Sequence, residues 1–250
     1  MSELSPTDDV PGPHGGRPIV TAGAPRGATE AVVLALHGRG ATAQGIVALL
    51  DPISHHGVTV VAPDAHRSRW YPYAGTQPIE RNEPHVSSAL AVVEALLEHV
   101  VETFGVDRDH VVLVGFSQGA CVAAEFAARN PDRYGGVAVL SGTLLGPALD
   151  SGGYVGTLDG TPVLVASGDE DPHVSADRAR ATAEVFRSLD GDVTDTTGCK
   201  SVNDFATPGW RRSSRSYSRQ YERRYEGVGH EVTDDEFDFL GSLLETLVDS

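Results

Sequence analysis

The stretch Gly115-Phe116-Ser117-Gln118-Gly119 decides the fold of this chain. It follows the apolar segment His110-Val111-Val112-Leu113-Val114, which is typical of a buried strand, and it precedes residues 120–129, which are typical of a helix. A serine on a sharp strand-to-helix turn exposes its hydroxyl at the edge of a sheet, and glycines two positions to either side leave room for the bent backbone. The pattern therefore predicts that Ser117 is a nucleophile at the top of a sheet.

Apolar segments of strand length alternate with helical segments along the rest of the chain. Buried strands in such an alternation form a mostly parallel central sheet with helices on both faces. Together with the serine turn, this predicts an α/β-hydrolase fold with a minimal lid, in which ligands bind beyond the carboxyl ends of the strands. The predicted strands are residues 18–23, 31–36, 58–62, 110–114, 136–140 and 162–166, and the predicted helices are residues 45–50, 85–104, 120–129, 174–189 and 235–248. Within 85–104 the apolar stripe consists of Leu90, Val93, Leu97, Val101 and Phe104.

Length and composition limit the class of protein. The 250 residues, 40% of them hydrophobic, fit one large α/β domain, which we place at residues 18–250. Residues 1–17 are rich in Pro, Gly and Asp, and we expect them to be disordered. We expect no membrane span, because no apolar run approaches ~18 residues, and no secretory signal, because the N-terminus is acidic and polar. Two cysteines do not form a disulfide framework, so we expect a cytoplasmic protein.

The charge of the chain is strongly negative. The formal net charge is −16, and Lys200 is the only lysine. An acidic surface argues against nucleic acids and anionic membranes as partners. A genome rich in G and C would explain the preference for arginine, but a cytoplasm rich in salt also explains the acidity, since salt screens the self-repulsion of such a surface. We favour the salt-adapted interpretation.

The chain order of the polar groups restricts the partners of Ser117. A serine hydroxyl needs a base that takes its proton and a carboxylate that orients the base, and in this fold they follow in the order Ser, acid, His. The acids after the strand at 162–166 are Asp169, Glu170 and Asp171, and only His173 and His230 lie further on. His173 is too near these acids to connect one of them to Ser117, so we predict His230 as the base rather than an exposed loop histidine. The spacing leaves the acid open, because Asp171 could instead cap the following helix.

The sequence resembles the phospholipase/carboxylesterase family of α/β-hydrolases, which includes carboxylesterases and acyl-protein thioesterases. The resemblance covers about residues 17–194 and 222–248. The motifs that carry it are His37-Gly38-Arg39-Gly40, Trp70-Tyr71-Pro72, Asn82-Glu83-Pro84, Gly115-Phe116-Ser117-Gln118-Gly119, Gly168-Asp169-Glu170-Asp171-Pro172-His173-Val174 and Gly229-His230.

The resemblance implies roles for further residues. It selects Asp171 as the catalytic acid and implies an oxyanion hole formed by the backbone N–H groups of Arg39 and Gln118. His37 is expected to support its loop rather than to take part in catalysis. Trp70, Tyr71 and Tyr73 are candidates for the substrate pocket, with simple packing of their loop as the alternative. Cys121 is expected to be a small core residue rather than a second nucleophile.

Residues 195–221 depart from the family pattern. They contain five basic residues against two acidic ones, many serines and threonines, and one of the two tryptophans of the chain. A lid or docking arm is one interpretation, and a disordered insertion or an error in the gene sequence is the other. We favour the second, because we expect the segment to interrupt the start of the last strand, 192–194 continued by 223–226, at the end of the sheet opposite the active site.

These features predict a serine carboxylesterase that acts on a small-molecule ester or thioester without a cofactor. An acyl-protein thioesterase or lysophospholipase is the alternative with the same chemistry, and an inactive hydrolase-fold binding protein is the alternative of another class. No metal site is expected, because the 10 histidines are scattered and His230-Glu231 is not part of an H-E-x-x-H motif. The sequence predicts neither the oligomeric state nor the length of the acyl group.

Overall fold

The protein is built on a seven-stranded sheet. A computed structural model describes residues 5–149, 151–197 and 228–249. The strands lie in the order β1-β3-β2-β4-β5-β6-β7, in which β1 is antiparallel to β3 and all other neighbours are parallel. Their bounds are β1 Ile19–Gly23, β2 Ala31–Leu36, β3 Val58–Pro63, β4 Val111–Phe116, β5 Gly136–Leu140, β6 Pro162–Ala166 and β7 Asp192–Asp195.

Helices cover both faces of the sheet. Within the described ranges they are α1 Ala43–Leu49, α2 His85–Phe104, α3 Gln118–Arg129, α4 Ala176–Ser188 and α5 Asp234–Val248. Successive side chains of a strand point to opposite faces; Val112 and Val114 pack with α1 and α5, whereas Val111 and Leu113 pack with α2, α3 and α4. The central strands are therefore apolar at every position, and the prediction of a mostly parallel sheet between two helical layers is confirmed.

The buried face of α2 differs from the predicted stripe. Val93 and Leu97 are buried as expected, but Leu90, Val101 and Phe104 are only partly buried. Apolar residues cover a wide arc of α2, so the same helical spacing fits two overlapping stripes. The structure buries a stripe that is shifted around the helix from the predicted one. Its buried members include Val86, Ala89, Val92, Leu96 and Val100.

The N-terminal segment is ordered from residue 5 onward, so the expectation of disorder for residues 1–17 is wrong for residues 5–17. Its anchor is His14, which is 1% exposed. The ring donates from Nε2 to the Trp70 carbonyl oxygen over 2.9 Å and accepts at Nδ1 from the His66 N–H over 3.0 Å. The His14 N–H donates to Ser88 Oγ over 3.1 Å. Polar composition did not prevent docking, because these bonds satisfy the buried groups.

The break at the insertion lies at the same end of the sheet as Ser117, and the expectation that it lies at the opposite end is wrong. Asp195 in β7 pairs with Val165 in β6, and the Thr196 N–H donates to the Val165 carbonyl oxygen over 3.0 Å. The strand has thus run nearly the full length of β6 before residue 198. The described chain resumes at Val228, whose N–H donates to Asp169 Oδ1 just past the carboxyl end of β6. Residues 198–221, and the strand predicted at 223–226, lie outside the described residues.

The docking of His14 predicts a loss of stability in mild acid. The pKa of His14 is lowered from 6.5 to about 4, mainly because the ring is buried; the hydrogen bond to the Trp70 carbonyl oxygen opposes the shift, and the charges of His85, His66 and Arg17 add smaller lowering contributions. Between pH 6.5 and about pH 4 the unfolded chain binds a proton at this histidine that the native ring does not bind. The free energy of unfolding therefore falls as the pH is lowered through this range. The stabilisation by the neutral His14 ring is fully present only above pH 6.5. At most it amounts to about 3 kcal/mol.

Urea unfolding of the wild type and of His14→Gln between pH 7.5 and pH 4.5 measures this effect. We expect the variant to be less stable at the upper pH, because it loses part of the anchoring, but to lose less stability on acidification. His56→Gln, which removes an exposed histidine, is the control and should keep the wild-type slope. An identical slope for all three proteins would contradict the assignment.

Candidate active site

The turn between β4 and α3 places Ser117 at the carboxyl edge of the sheet. Ser117 has φ 54° and ψ −116°, a conformation that few side-chain-bearing residues adopt. Its N–H donates to the Leu140 carbonyl oxygen over 2.8 Å. A Cβ atom on Gly119 would collide with the Leu36 carbonyl, and one on Gly115 would collide with the backbone at Gly119. The two glycines are therefore required by close backbone contacts on both sides of the serine.

Ser117, His230 and Asp171 form a hydrogen-bonded chain. His230 Nε2 lies 2.7 Å from Ser117 Oγ, and His230 Nδ1 lies 2.8 Å from Asp171 Oδ2. The carboxylate can only accept, so it fixes the proton on Nδ1 and leaves Nε2 able to accept from the serine hydroxyl. The Asp171 side chain is fully buried, whereas that of His230 is 22% exposed. The imidazole ring packs against Phe116 and against His173, with ring centroids 5.1 and 4.8 Å away.

Asp171 uses its two carboxylate oxygens for different tasks. Oδ2 faces His230, while Oδ1 accepts the N–H groups of His173 at 2.8 Å and Val174 at 3.1 Å. The sequence left open whether this residue orients a histidine or caps the following helix. Helix α4 begins at Ala176 and its N-cap is Ser175, so Asp171 does not cap the helix; it faces His230 and binds the turn before the helix. Asp169 instead binds the Val228 N–H and thereby fixes the backbone two residues before His230.

The residues proposed for the oxyanion hole flank the serine. Among the described residues, neither the Arg39 N–H nor the Gln118 N–H donates to another protein group. The Gln118 side chain is buried and binds one loop twice: Nε2 donates to the Tyr71 carbonyl oxygen and Oε1 accepts the Trp70 N–H, both over 2.8 Å. The Arg39 guanidinium donates to the carbonyl oxygens of Tyr71 at 2.8 Å and Pro72 at 3.1 Å. Both residues thus fix the loop at 70–73.

His37 supports the loop that carries Arg39, as expected. It is fully buried; its Nδ1 donates to the Gly38 carbonyl oxygen over 2.7 Å and its Nε2 accepts the Ala65 N–H over 3.0 Å. Both ring nitrogens are therefore used by a neutral imidazole, and burial lowers the pKa of His37, which keeps the ring neutral. The Trp70 indole N–H donates to the His37 carbonyl oxygen over 2.8 Å.

A pocket of about 430 Å³ opens beside Ser117. Tyr71 and Tyr73 line it, but Trp70 does not. Trp70 is 0% exposed because its indole is enclosed by the core and bound to His37, so its assignment to the pocket is wrong. Cys121 lines the pocket rather than the core alone, and burial raises the pKa of its thiol, which keeps it protonated near neutral pH.

Sequence reasoning missed three side chains at this site. The prediction from sequence concerned only the backbone N–H of Gln118, so the hydrogen bonds of its side-chain amide were not predicted. His173 was dismissed as a base, yet its ring packs edge-on against His230. Arg178 in α4 lines the pocket, although its position in the helix that follows Asp171 did not predict a place in the site. Each contact joins distant parts of the chain, which local patterns do not reveal.

Neither a metal cluster nor a membrane span is found in the part of the chain that the structure describes. There, no group of three or more His, Cys, Asp or Glu side chains is arranged to hold a metal ion. None of the helices in these ranges combines the length and apolarity needed to cross a bilayer.

The mostly parallel sheet, the strand-to-helix turn at Ser117 and the hydrogen-bonded chain of Ser117, His230 and Asp171 define an α/β-hydrolase fold. Residues 19–202 match the model of the phospholipase/carboxylesterase family, so the chain belongs to this family. The crystal structure of a phospholipase/carboxylesterase from Dyadobacter fermentans DSM 18053 is similar to it, with a TM-score of 0.75 and 28% identity over 95% of this chain and 100% of that chain. The carboxylesterase of Bacillus cereus shares the fold, with a TM-score of 0.67 and 17% identity over 93% of this chain and 95% of that chain.

Two curated relatives match over shorter stretches. The candidate esterase NocK of Nocardia uniformis subsp. tsuyamanensis is 30% identical over 147 residues, which are 56% of this chain and 40% of NocK. Acyl-protein thioesterase 1 of Debaryomyces hansenii is 28% identical over 125 residues, 49% of either chain. The chain thus spans less than half the length of these two relatives.

The amide of Gln118 predicts a measurable contribution to stability. Gln118→Ala leaves the Trp70 N–H buried without its partner, whereas the Tyr71 carbonyl oxygen keeps the bond from Arg39. One buried group without a partner costs about 1–3 kcal/mol. We expect the free energy of unfolding in urea to fall by about 1–3 kcal/mol. Gln44→Ala, an exposed position in α1, is the matched control and should change it by less than about 0.5 kcal/mol. Equal effects of the two substitutions would contradict the role of the amide.

Proposed function

We propose that the protein is a serine carboxylesterase that hydrolyses small-molecule esters through an acyl-enzyme on Ser117. The observation that carries the proposal is the continuous chain of two hydrogen bonds from Asp171 Oδ2 through His230 to Ser117 Oγ. It stands at the carboxyl edge of the sheet and opens into a pocket. Similarity to carboxylesterases and esterases over most or part of the chain supports the same activity.

In the first half of the reaction, Ser117 Oγ attacks the carbonyl carbon of the ester. His230 Nε2 takes the hydroxyl proton as the new bond between Oγ and carbon forms. Asp171 keeps the imidazole in the tautomer that can accept at Nε2 and stabilises the imidazolium that results. The negative charge on the former carbonyl oxygen is bound by the N–H groups of Arg39 and Gln118, which have no other partner among the described residues. The bond to the leaving oxygen then breaks, and His230 supplies its proton.

In the second half, water repeats the attack on the acyl-enzyme. His230 removes a proton from the water molecule, the carboxylic acid leaves, and the proton returns to Ser117 Oγ. A thioester follows the same steps with sulfur as the leaving atom. An acyl-protein thioesterase is therefore the second candidate, favoured by the similarity to acyl-protein thioesterase 1 of Debaryomyces hansenii. A binding protein without activity would need neither the hydrogen bond at Ser117 Oγ nor unbonded amides beside it.

A fluorophosphonate probe tests the nucleophile. The probe should label the wild type on Ser117 and fail to label Ser117→Ala, and hydrolysis of a p-nitrophenyl ester by the variant should fall to background. An inert wild type, with circular dichroism of a folded protein, would contradict the proposed activity and favour the binding-protein alternative.

A pair of aspartates tests the orienting carboxylate. Asp171→Asn preserves the volume but favours the wrong tautomer of His230, and we expect kcat to fall by a factor on the order of 10⁴. Asp169→Asn keeps an oxygen that can accept the Val228 N–H, so we expect a loss of less than about tenfold. Similar losses in the two variants, measured with the same ester, would refute the distinction between them.

A further inference from the structure

The pocket beside Ser117 is cationic, in contrast to the rest of the protein. Arg39 and Arg178 both line it, and no aspartate or glutamate of the described chain does. The protein as a whole has a formal net charge of −16. A cationic cavity in an acidic protein matches an anionic ligand rather than a long hydrocarbon chain.

Arg178 is held in place by neutral groups alone. Its Nε donates to Thr143 Oγ1 over 3.2 Å, and its Nη2 donates to the carbonyl oxygens of Leu144 and Gly146. Among the described residues, Nη1 has no hydrogen-bond partner and the guanidinium has no ion pair. Arg178 is therefore a fixed and partly buried cation that forms no ion pair within the described ranges, although the charge of Glu125 acts on it without direct contact.

Glu125, a carboxylate whose charge acts on Arg178, already has other partners. Glu125 is fully buried, but its Oε1 lies 2.6 Å from Arg129 Nε. Its Oε2 accepts the Leu145 N–H over 3.0 Å and the Tyr154 hydroxyl over 3.2 Å. Both oxygens of this carboxylate are thus satisfied without Arg178, and the charge of Glu125 is balanced within its own ion pair.

Arg178 and Ser117 line the same pocket and are connected through Cys121 and Thr143. Cys121 follows Ser117 by one turn of α3, a rise of about 6 Å. The Thr143 N–H donates to Cys121 Sγ over 3.5 Å, and the hydroxyl of the same threonine binds Arg178. Serine, thiol and guanidinium all line the one pocket. A short acyl or alcohol group can therefore extend from the reacting carbonyl towards the guanidinium.

We infer that the ester substrate carries a carboxylate that binds Arg178, which makes the preferred substrate class short esters with an anionic end. The inference rests on the proposed function, since it names the substrate class of the same site. A guanidinium offers a carboxylate paired, charge-assisted donors, and the free Nη1 is available for one of them. The bound anion would supply the contacting counter-ion that Arg178 does not have among the described residues, which offsets the cost of a partly buried charge.

Paired substrates test the inference. The wild type is assayed by acid release at constant pH and one fixed salt concentration. Monoethyl succinate is compared with ethyl pentanoate, which places the anion in the acyl half, and acetoxyacetate is compared with acetoxyacetamide, which places it in the alcohol half. We expect kcat/KM to favour the anionic member of one pair by at least about tenfold, and that pair identifies the half. No preference in either pair would overturn the inference.

Variants of Arg178 assign the preference to this side chain. In Arg178→Gln the ratio of kcat/KM between the two members of the preferred pair should fall by about tenfold or more, mainly through KM for the anion. Arg180→Gln, an exposed arginine of the same helix paired with Asp177, is the control and should keep the ratio. Arg178→Lys keeps the charge but loses the planar fork, so it should give an intermediate ratio, and it decides the question where the Gln variant does not fold. A wild-type ratio in both Arg178 variants would overturn the inference.

Direct binding separates the anion site from the proposed activity. Succinate binding to Ser117→Ala is measured by calorimetry and repeated with the added Arg178→Gln substitution. Binding that is lost with Arg178 supports the site even where the wild type hydrolyses no ester, in which case the proposed function alone fails. Hydrolysis of ethyl pentanoate by a wild type that neither binds succinate nor prefers an anionic ester supports the activity and overturns the anion site.

Discussion

The backbone conformation of Ser117 is the constraint on which the site depends. A residue with a side chain in this region of φ and ψ costs roughly 1–3 kcal/mol, so the surrounding structure must enforce it. The Leu140 carbonyl oxygen holds the Ser117 N–H, and the backbone of Gly119 contacts the end of β2 at Leu36. The second contact also brings the residues after β2 beside the serine. One strained turn therefore places both the nucleophile and the loop that carries Arg39.

A network of neutral polar groups then fixes the wall of the site. Trp70 is its centre: Gln118 accepts its N–H, His14 binds its carbonyl oxygen, and its indole donates to the His37 carbonyl. His14 and His37 each donate with one ring nitrogen and accept with the other, which only a neutral imidazole can do. Protonation of either ring would break an accepted bond. The N-terminal segment and the loop that carries Arg39 thus both bind one buried residue, Trp70.

The central architecture could be predicted from the sequence because it depends on local patterns. Apolar runs bounded by turns predict buried strands, and the turn at Ser117 has its own glycine signature. What failed depends on contacts between distant residues. The anchoring of His14 requires Trp70 and Ser88, and the face that α2 buries depends on which side meets the sheet. For the acid, spacing offered several aspartates, and the family pattern was needed to favour Asp171, which lies next to His230.

The acidic groups of the site have partners, whereas the cationic side of the pocket has no acidic partner in contact among the described residues, and this difference determines where an anion could bind. Asp171 is buried, and both its oxygens have donors, while Glu125 is paired with Arg129. Only the cationic side of the pocket lacks compensation within the described chain. At low ionic strength the acidic surface would repel an approaching anion, but at about 1 M salt the Debye length is only ~3 Å. Screening would then remove the long-range repulsion while a direct contact with a partly buried guanidinium is weakened far less. An acidic surface and an anion-binding pocket are therefore compatible in a protein that works in concentrated salt.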